Sequence, residues 1–202
     1  MSPLSPQDEQ AEIIQATLRL YRQFGPDKVS MDDVAKATGR SRTSIYYYFK
    51  NRDEMFRAAV DAIVLEMAKD LRKAVADVRT VDKQVYTFCV SKLKISREWK
   101  LILDAIWVSM DQKGQWKHIK TAETLHQKLV YQESLILKEM LAAAAERKEI
   151  RVLSAEETDQ WVFVITSGIR GIRNELPDHN VTQAAKASIR VLSEMATGWL
   201  RK

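Results

Sequence analysis

Residues 31–49 read MDDVAKATGRSRTSIYYYF, and their small, turning and apolar positions fall where two short helices joined by a tight turn require them. Ala35 lets the first helix cross the second closely, where a larger side chain would push the two apart. Gly39 supplies the left-handed turn conformation that a Cβ penalises. Val34, Ile45 and Phe49 face inward. Ile45 and Phe49 share one face of the second helix, which leaves Arg42, Thr43, Ser44, Tyr47 and Tyr48 largely on the others. That outer set is basic, hydroxylic and aromatic. It suits phosphate oxygens and base edges when a recognition helix lies in the major groove, so this helix-turn-helix is expected to bind double-stranded DNA. A plain helical hairpin inside a larger bundle is the competing reading, and it leaves the outer set unexplained.

Charge points the same way. Residues 34–52 carry Lys36, Arg40, Arg42, Lys50 and Arg52 and no acid, and these five account for the whole excess of 32 Lys and Arg over 27 Asp and Glu. A chain that bound nucleic acid along its length would spread that excess, whereas here it is confined to one docking surface.

Around this motif the chain of 202 residues has only 6 Gly and 4 Pro, with apolar residues recurring at three and four. It reads as all-α, long enough for a sizeable core, with no convincing strand. No apolar run reaches the roughly 18 residues of a membrane span, and residues 1–10 lack the basic and apolar regions of a signal peptide, so a cytoplasmic protein is expected. The lone Cys89 sits in an apolar run and reads as a small buried hydrophobe rather than a reactive thiol.

The first helix is expected over residues 7–24, with Ile13, Ile14, Ala16, Thr17, Leu20, Tyr21 and Phe24 inward, ended by Gly25 and Pro26. Ser30 with Asp33 forms a capping-box signature, Ser41 can cap the reading helix, and Asn51 with Glu54 starts a fourth helix that runs to about residue 72 or beyond. This gives a helix-turn-helix domain over residues 1–52 and a larger helical domain over 53–202, joined by a shared helix without a flexible linker. Further helices are expected over residues 81–96, 101–112, 119–147, 155–174 and 181–199. Ser154 with Glu157 and Asn180 with Gln183 mark the last two starts, with Pro177 between them.

The last two helices carry small and apolar residues at spacings of three and four. They form ordinary core, or they close a homodimer through a four-helix interface, with Ile165, Gly168, Ile172, Ala187, Val191 and Met195 as the contacts. The dimer is the preferred reading, because helix-turn-helix readers commonly need two half-sites.

Residues 10–60 resemble the DNA-binding domain of the TetR (tetracycline repressor) family of one-component regulators. The likeness rests on Phe24-Gly25, Ser30, Asp33-Val34-Ala35, Thr38-Gly39, Ser41, Ser44-Ile45-Tyr46, Tyr48-Phe49, Asn51-Arg52 and Met55-Phe56. It implies DNA contacts by Arg42, Thr43, Tyr46, Tyr47 and Tyr48, with Arg40, Ser41, Ser44, Lys50 and Arg52 at or near the phosphate backbone. Tyr48 stands where the family often has His, and Arg52 where it usually has Lys. The resemblance further implies a homodimeric repressor on a palindromic operator, whose larger domain binds a small molecule and shifts the fourth helix.

For that small molecule, Trp99, Trp107, Trp116, Trp161 and Trp199, with Met110 and Phe163, line an apolar cavity or build ordinary core. Trp107 and Met110 are the first candidates for effector contacts, and Trp161 is a further one that could instead face a partner subunit. His118 and His126 stand eight apart without clustered Cys or acids, so no metal is expected, and no cofactor. Arg170 and Arg173 with Glu175 could anchor an acidic ligand, but a solvated helix end is the preferred reading. Motifs for nucleophilic, phosphate-loop or metal catalysis are absent, so an enzyme is not expected. The remaining alternative is an architectural DNA-binding protein without an effector, against which the neutral charge balance outside residues 34–52 argues.

Overall fold

A computed structural model describes residues 5–100, 102, 116–176 and 181–201, and every regular element among them is helical. In chain order these are α1 (Pro6–Phe24), a 3-10 turn (Pro26–Lys28), α2 (Met31–Thr38), α3 (Arg42–Tyr48), α4 (Arg52–Ala76), α5 (Val81–Glu98), α6 (Trp116–Glu146), α7 (Ala155–Asn174) and α8 (Gln183–Trp199). The fold is all-α, with an N-terminal helix-turn-helix and a C-terminal helical domain. The expected helix over residues 101–112 lies outside the described residues, as do Pro177 and Asn180. No described helix is long and apolar enough to cross a membrane.

The chain divides into two compact units, Met1–Leu65 with Trp99–His126, and Glu66–Glu98 with Gln127–Lys202. In the first, α1 starts at a capping box made by Ser5 and Asp8 and ends at Gly25, whose φ of 80° only glycine adopts readily. Its core gathers Ile13, Leu18, Tyr21, Val34, Ile45, Phe49 and Met55, each at most 2% exposed. Burial of each such side chain is worth roughly 1.5–3 kcal/mol. The inward stripe of α1 thus takes in Leu18, whereas Phe24, expected to face inward, is 49% exposed at the last turn.

In the second unit, α8 packs against α5 and α7. Phe88, Cys89, Ile136, Leu137, Ile165, Ile169 and Ile189 are buried there. Cys89 is a core residue as expected, and burial pushes its thiol up to about 12. Ser154 and Glu157 form the expected capping box of α7. The start of α8 is corrected: Thr182 caps it by accepting from the Ala185 amide at 3.1 Å, in place of the expected Asn180 signal.

Candidate nucleic-acid interface

Three local devices hold the reading helix. At the start of α2, Ser30 Oγ accepts from the Asp33 amide at 3.2 Å, while the Asp33 carboxylate accepts from the Ser30 amide at 2.9 Å and from the Ser30 hydroxyl at 2.6 Å. Those donors, the hydroxyl first, hold the Asp33 carboxyl below its ordinary value. At the turn, Gly39 adopts φ 66° and ψ 21°, and the Arg40 amide donates to Ala35 O at 3.0 Å. Ser41 Oγ then caps α3 by accepting from the Ser44 amide at 3.1 Å. Ile45 and Phe49 anchor the inner face of α3 at 0% and 1% exposure.

The outer face that results is aromatic and cationic. Tyr47 is 80% exposed and Tyr46 39%, and Thr43 and Lys50 are exposed beside them. Arg42 lies 5.5 Å over the Tyr46 ring and forms an exposed ion pair with Asp32 at 3.0 Å, a contact that water and salt weaken. Tyr47 and Tyr48 meet edge to face, 5.1 Å apart.

Other side chains assigned to DNA make their bonds inside the domain. Arg40 donates to Glu9 at 2.9 Å and to Glu12 at 2.7 Å, and its Nε is buried without a partner among the described residues. Tyr48 donates its hydroxyl to the same Glu9 oxygen at 2.7 Å, which raises its pKa. Arg52 Nη2 donates to Pro26 O at 2.6 Å and so closes the turn between α1 and α2. Ser41 is the cap and Ser44 is half-buried above it. The structure therefore leaves Arg42, Thr43, Tyr46 and Tyr47 exposed on α3, and Lys50 exposed two residues after it. The acids of α1 that take up Arg40 and Tyr48 carry no signal at sequence level, because they lie 28 to 39 residues away.

Of the effector candidates, Trp107 and Met110 lie outside the described residues, as do the side chains of Trp116 and His118. Trp161 is buried at 4%, and its indole donates to Ala196 O at 2.9 Å, tying α7 to α8. Trp99 is buried beneath the Arg22 guanidinium, 3.7 Å above its ring.

The proposed dimer residues separate into two groups. Ile165 is fully buried, and a Cβ at Gly168 would meet Leu192 Cδ2 at 2.9 Å, so both belong to the packing of α7 on α8 within one chain. This corrects their expected place among the dimer contacts in favour of the alternative, ordinary core. Ile172 is half-buried, while Ala187, Val191 and Met195 are exposed, the last two at 56% and 72%. Phe163 and Val164 on α7 are also exposed, at 68% and 54%. Phe163 and Trp199 thus leave the expected cavity for the surface. Arg173, expected at a solvated helix end, has its Nε shut away from water.

Residues 13–59 match the family model for bacterial regulatory proteins of the tetR family. An HTH-type transcriptional regulator of Mycobacterium tuberculosis is 28% identical over 86 residues, 43% of each chain. The match thus spans less than half of that relative's length. The nicotine-responsive transcriptional repressor of Paenarthrobacter nicotinovorans is 22% identical over 171 residues, covering 82% of this chain and 83% of that protein. A TetR-family regulator from Cytophaga hutchinsonii shares the fold with a TM-score of 0.67 and 17% identity, over 99% of this chain and 98% of that one.

Proposed function

We propose, from the match of residues 13–59 to the family model for bacterial regulatory proteins of the tetR family, that the chain is a dimeric repressor which a small molecule releases from a palindromic operator. The observation that supports the DNA contact is the open face of α3, where Arg42, Thr43, Tyr46 and Tyr47 stand exposed on a helix capped by Ser41 and preceded by the left-handed Gly39, with Lys50 exposed two residues after it. Such a helix can enter a major groove with its N-terminal residues against base edges, while Lys50 neutralises a phosphate.

One copy reads one half-site. The exposed apolar residues Phe163, Val164, Val191 and Met195 on α7 and α8 support pairing of two copies, since a monomer gains nothing by leaving them in water. Residues 1–52 would then read DNA, and residues 53–202 would dimerise and hold the effector, with Trp107 and Met110 as effector contacts. Ligand binding in the larger domain would displace α4 and change the separation of the two recognition helices. Half-sites must lie one turn of DNA apart, roughly 34 Å, so a small change in separation suffices for release. The nicotine response of one relative supports control by a small molecule, and at 22% identity it does not carry nicotine to this chain.

Selection of bound duplexes from a random pool tests this reading, followed by fluorescence-polarisation titration of the selected duplex with a compound library. A palindrome that one compound class releases is the expected result. Enrichment of no sequence would favour an architectural DNA-binding protein.

A further inference from the structure

Asp32 stands in the first turn of α2 and reaches the outer face of α3, where its carboxylate repels the phosphates of any duplex that approaches. The cap of α2 does not need it, because Asp33 makes both bonds of the capping box with Ser30. Asp32 instead accepts from Arg42 Nη1 at 3.0 Å, across the turn and ten residues on. Arg42 Nη2 makes a longer contact of 3.4 Å with the Tyr46 hydroxyl, and the guanidinium carbon lies 5.5 Å from the centre of the Tyr46 ring. Three contacts from two helices thus hold this one guanidinium.

Arg40 is held in another way. Glu9 and Glu12 leave 19% of its side chain exposed, whereas Arg42 and Asp32 keep 63% and 48% of theirs in the open. A pair so exposed adds little to stability, so the fold does not account for an acid at this place. What Asp32 changes is what Arg42 can bind. An arginine that carries its own counter-charge gains little from a phosphate, because neutralising a phosphate and releasing its counterion takes a net cation. The edge of a guanine in the major groove is neutral and offers two acceptors, N7 and O6, which match two N–H donors of a guanidinium. Adenine sets an amino donor beside its N7 and meets the guanidinium donor against donor. Of the five N–H donors of Arg42, Asp32 and Tyr46 take two, so three remain for a base.

We infer that Asp32 is a positioning residue that sets base specificity: it holds Arg42 toward the edge of a guanine and keeps it from the phosphates. This rests on the DNA contact proposed above for α3 and says which of its residues reads which base. Water weakens the pair in the free chain, and the pair tightens as the groove excludes that water.

The test is selection of duplexes from a random pool by the full chain and by Asp32→Asn, which keeps the shape and removes the charge, followed by polarisation titrations of selected and non-specific DNA. The native chain is expected to enrich a sequence with a preferred guanine in each half-site. In Asp32→Asn the preference for that guanine falls about tenfold or more. Affinity for non-specific DNA rises and the log–log salt slope steepens by about 1, because the released arginine turns to a phosphate. Arg42→Ala loses the same guanine, and adding Asp32→Asn to it changes the base preference no further. Asp32→Glu keeps the charge and recovers part of the preference. The melting temperature of Asp32→Asn stays within about 2 °C of the native one, as for an exposed pair. An unchanged guanine preference in Asp32→Asn, an equal loss at every position, weaker non-specific binding, or a marked fall in melting temperature with both kinds of binding lost together would overturn the inference and leave the operator reading standing. Enrichment of no sequence by the native chain would overturn both.

Discussion

On α3 and just after it, Tyr47 and Lys50 are proposed to meet DNA through different forces. Tyr47, 80% exposed, offers a ring and a hydroxyl to base edges, whereas Lys50 offers a point charge to phosphate. Tyr47→Ala is expected to lower operator affinity by about tenfold or more and to leave non-specific binding nearly intact. Lys50→Ala should weaken both and reduce the log–log salt slope by about 1, as measured by polarisation titrations between low and moderate salt. Tyr48 differs from its neighbour because its hydroxyl is already bonded to Glu9. Tyr48→Phe is therefore expected to lower the melting temperature while operator affinity stays within about twofold; a larger loss would mean that the phenol turns to DNA on binding. The outer face of α3 is legible from the spacing of Ile45 and Phe49, since side-chain direction along a helix is a local property. Which cations on that face stay free is not, because the acids that take up Arg40 belong to another helix.

At the scale of elements, caps and turns decide where helices begin and end. Gly39 at φ 66° has open space where a Cβ would go, so Gly39→Ala meets backbone strain and no clash. It should cost about 1 kcal/mol in thermal or denaturant unfolding, and Gly39→Asn less. The start of α7 carries a pH signature. Arg151 donates to Glu157 at 2.8 Å and the Ser154 amide donates to its other oxygen, which holds the Glu157 carboxyl at about 2, below the ordinary 4.5. A depressed carboxyl stabilises the fold fully above its unfolded value and loses that contribution as pH falls through the folded one. The difference in melting temperature between the native chain and Glu157→Gln should therefore be greatest above 4.5 and shrink toward pH 2. The caps at Ser30, Ser41 and Ser154 are legible because donor and acceptor lie three residues apart. Thr182 is not legible as the cap because it lies among several residues able to cap, and only the packed helix shows which one does.

For the whole molecule, the proposed dimer depends on side chains that a single chain leaves in water. Val191 and Met195 are more than half exposed on α8, so the double variant Val191→Asp with Met195→Glu should keep its helical circular dichroism. Sedimentation should find it at half the native mass, and loss of the second half-site should lower operator affinity by about 100-fold or more. An unchanged mass would remove these residues from the interface. The sequence by itself determined the helical fold class, the helix-turn-helix with its capped starts and left-handed glycine, and the inward residues of α3. Those follow from a period near 3.6, from side-chain caps and from backbone sterics, all of which act within a few residues. Only the tertiary structure decided that Arg40 is held by Glu9 and Glu12, and that Ile165 and Gly168 belong to the packing of α7 on α8 within one chain. Each of those depends on which helix packs beside which, and that is set by the burial of apolar surface over the whole chain rather than by any local spacing.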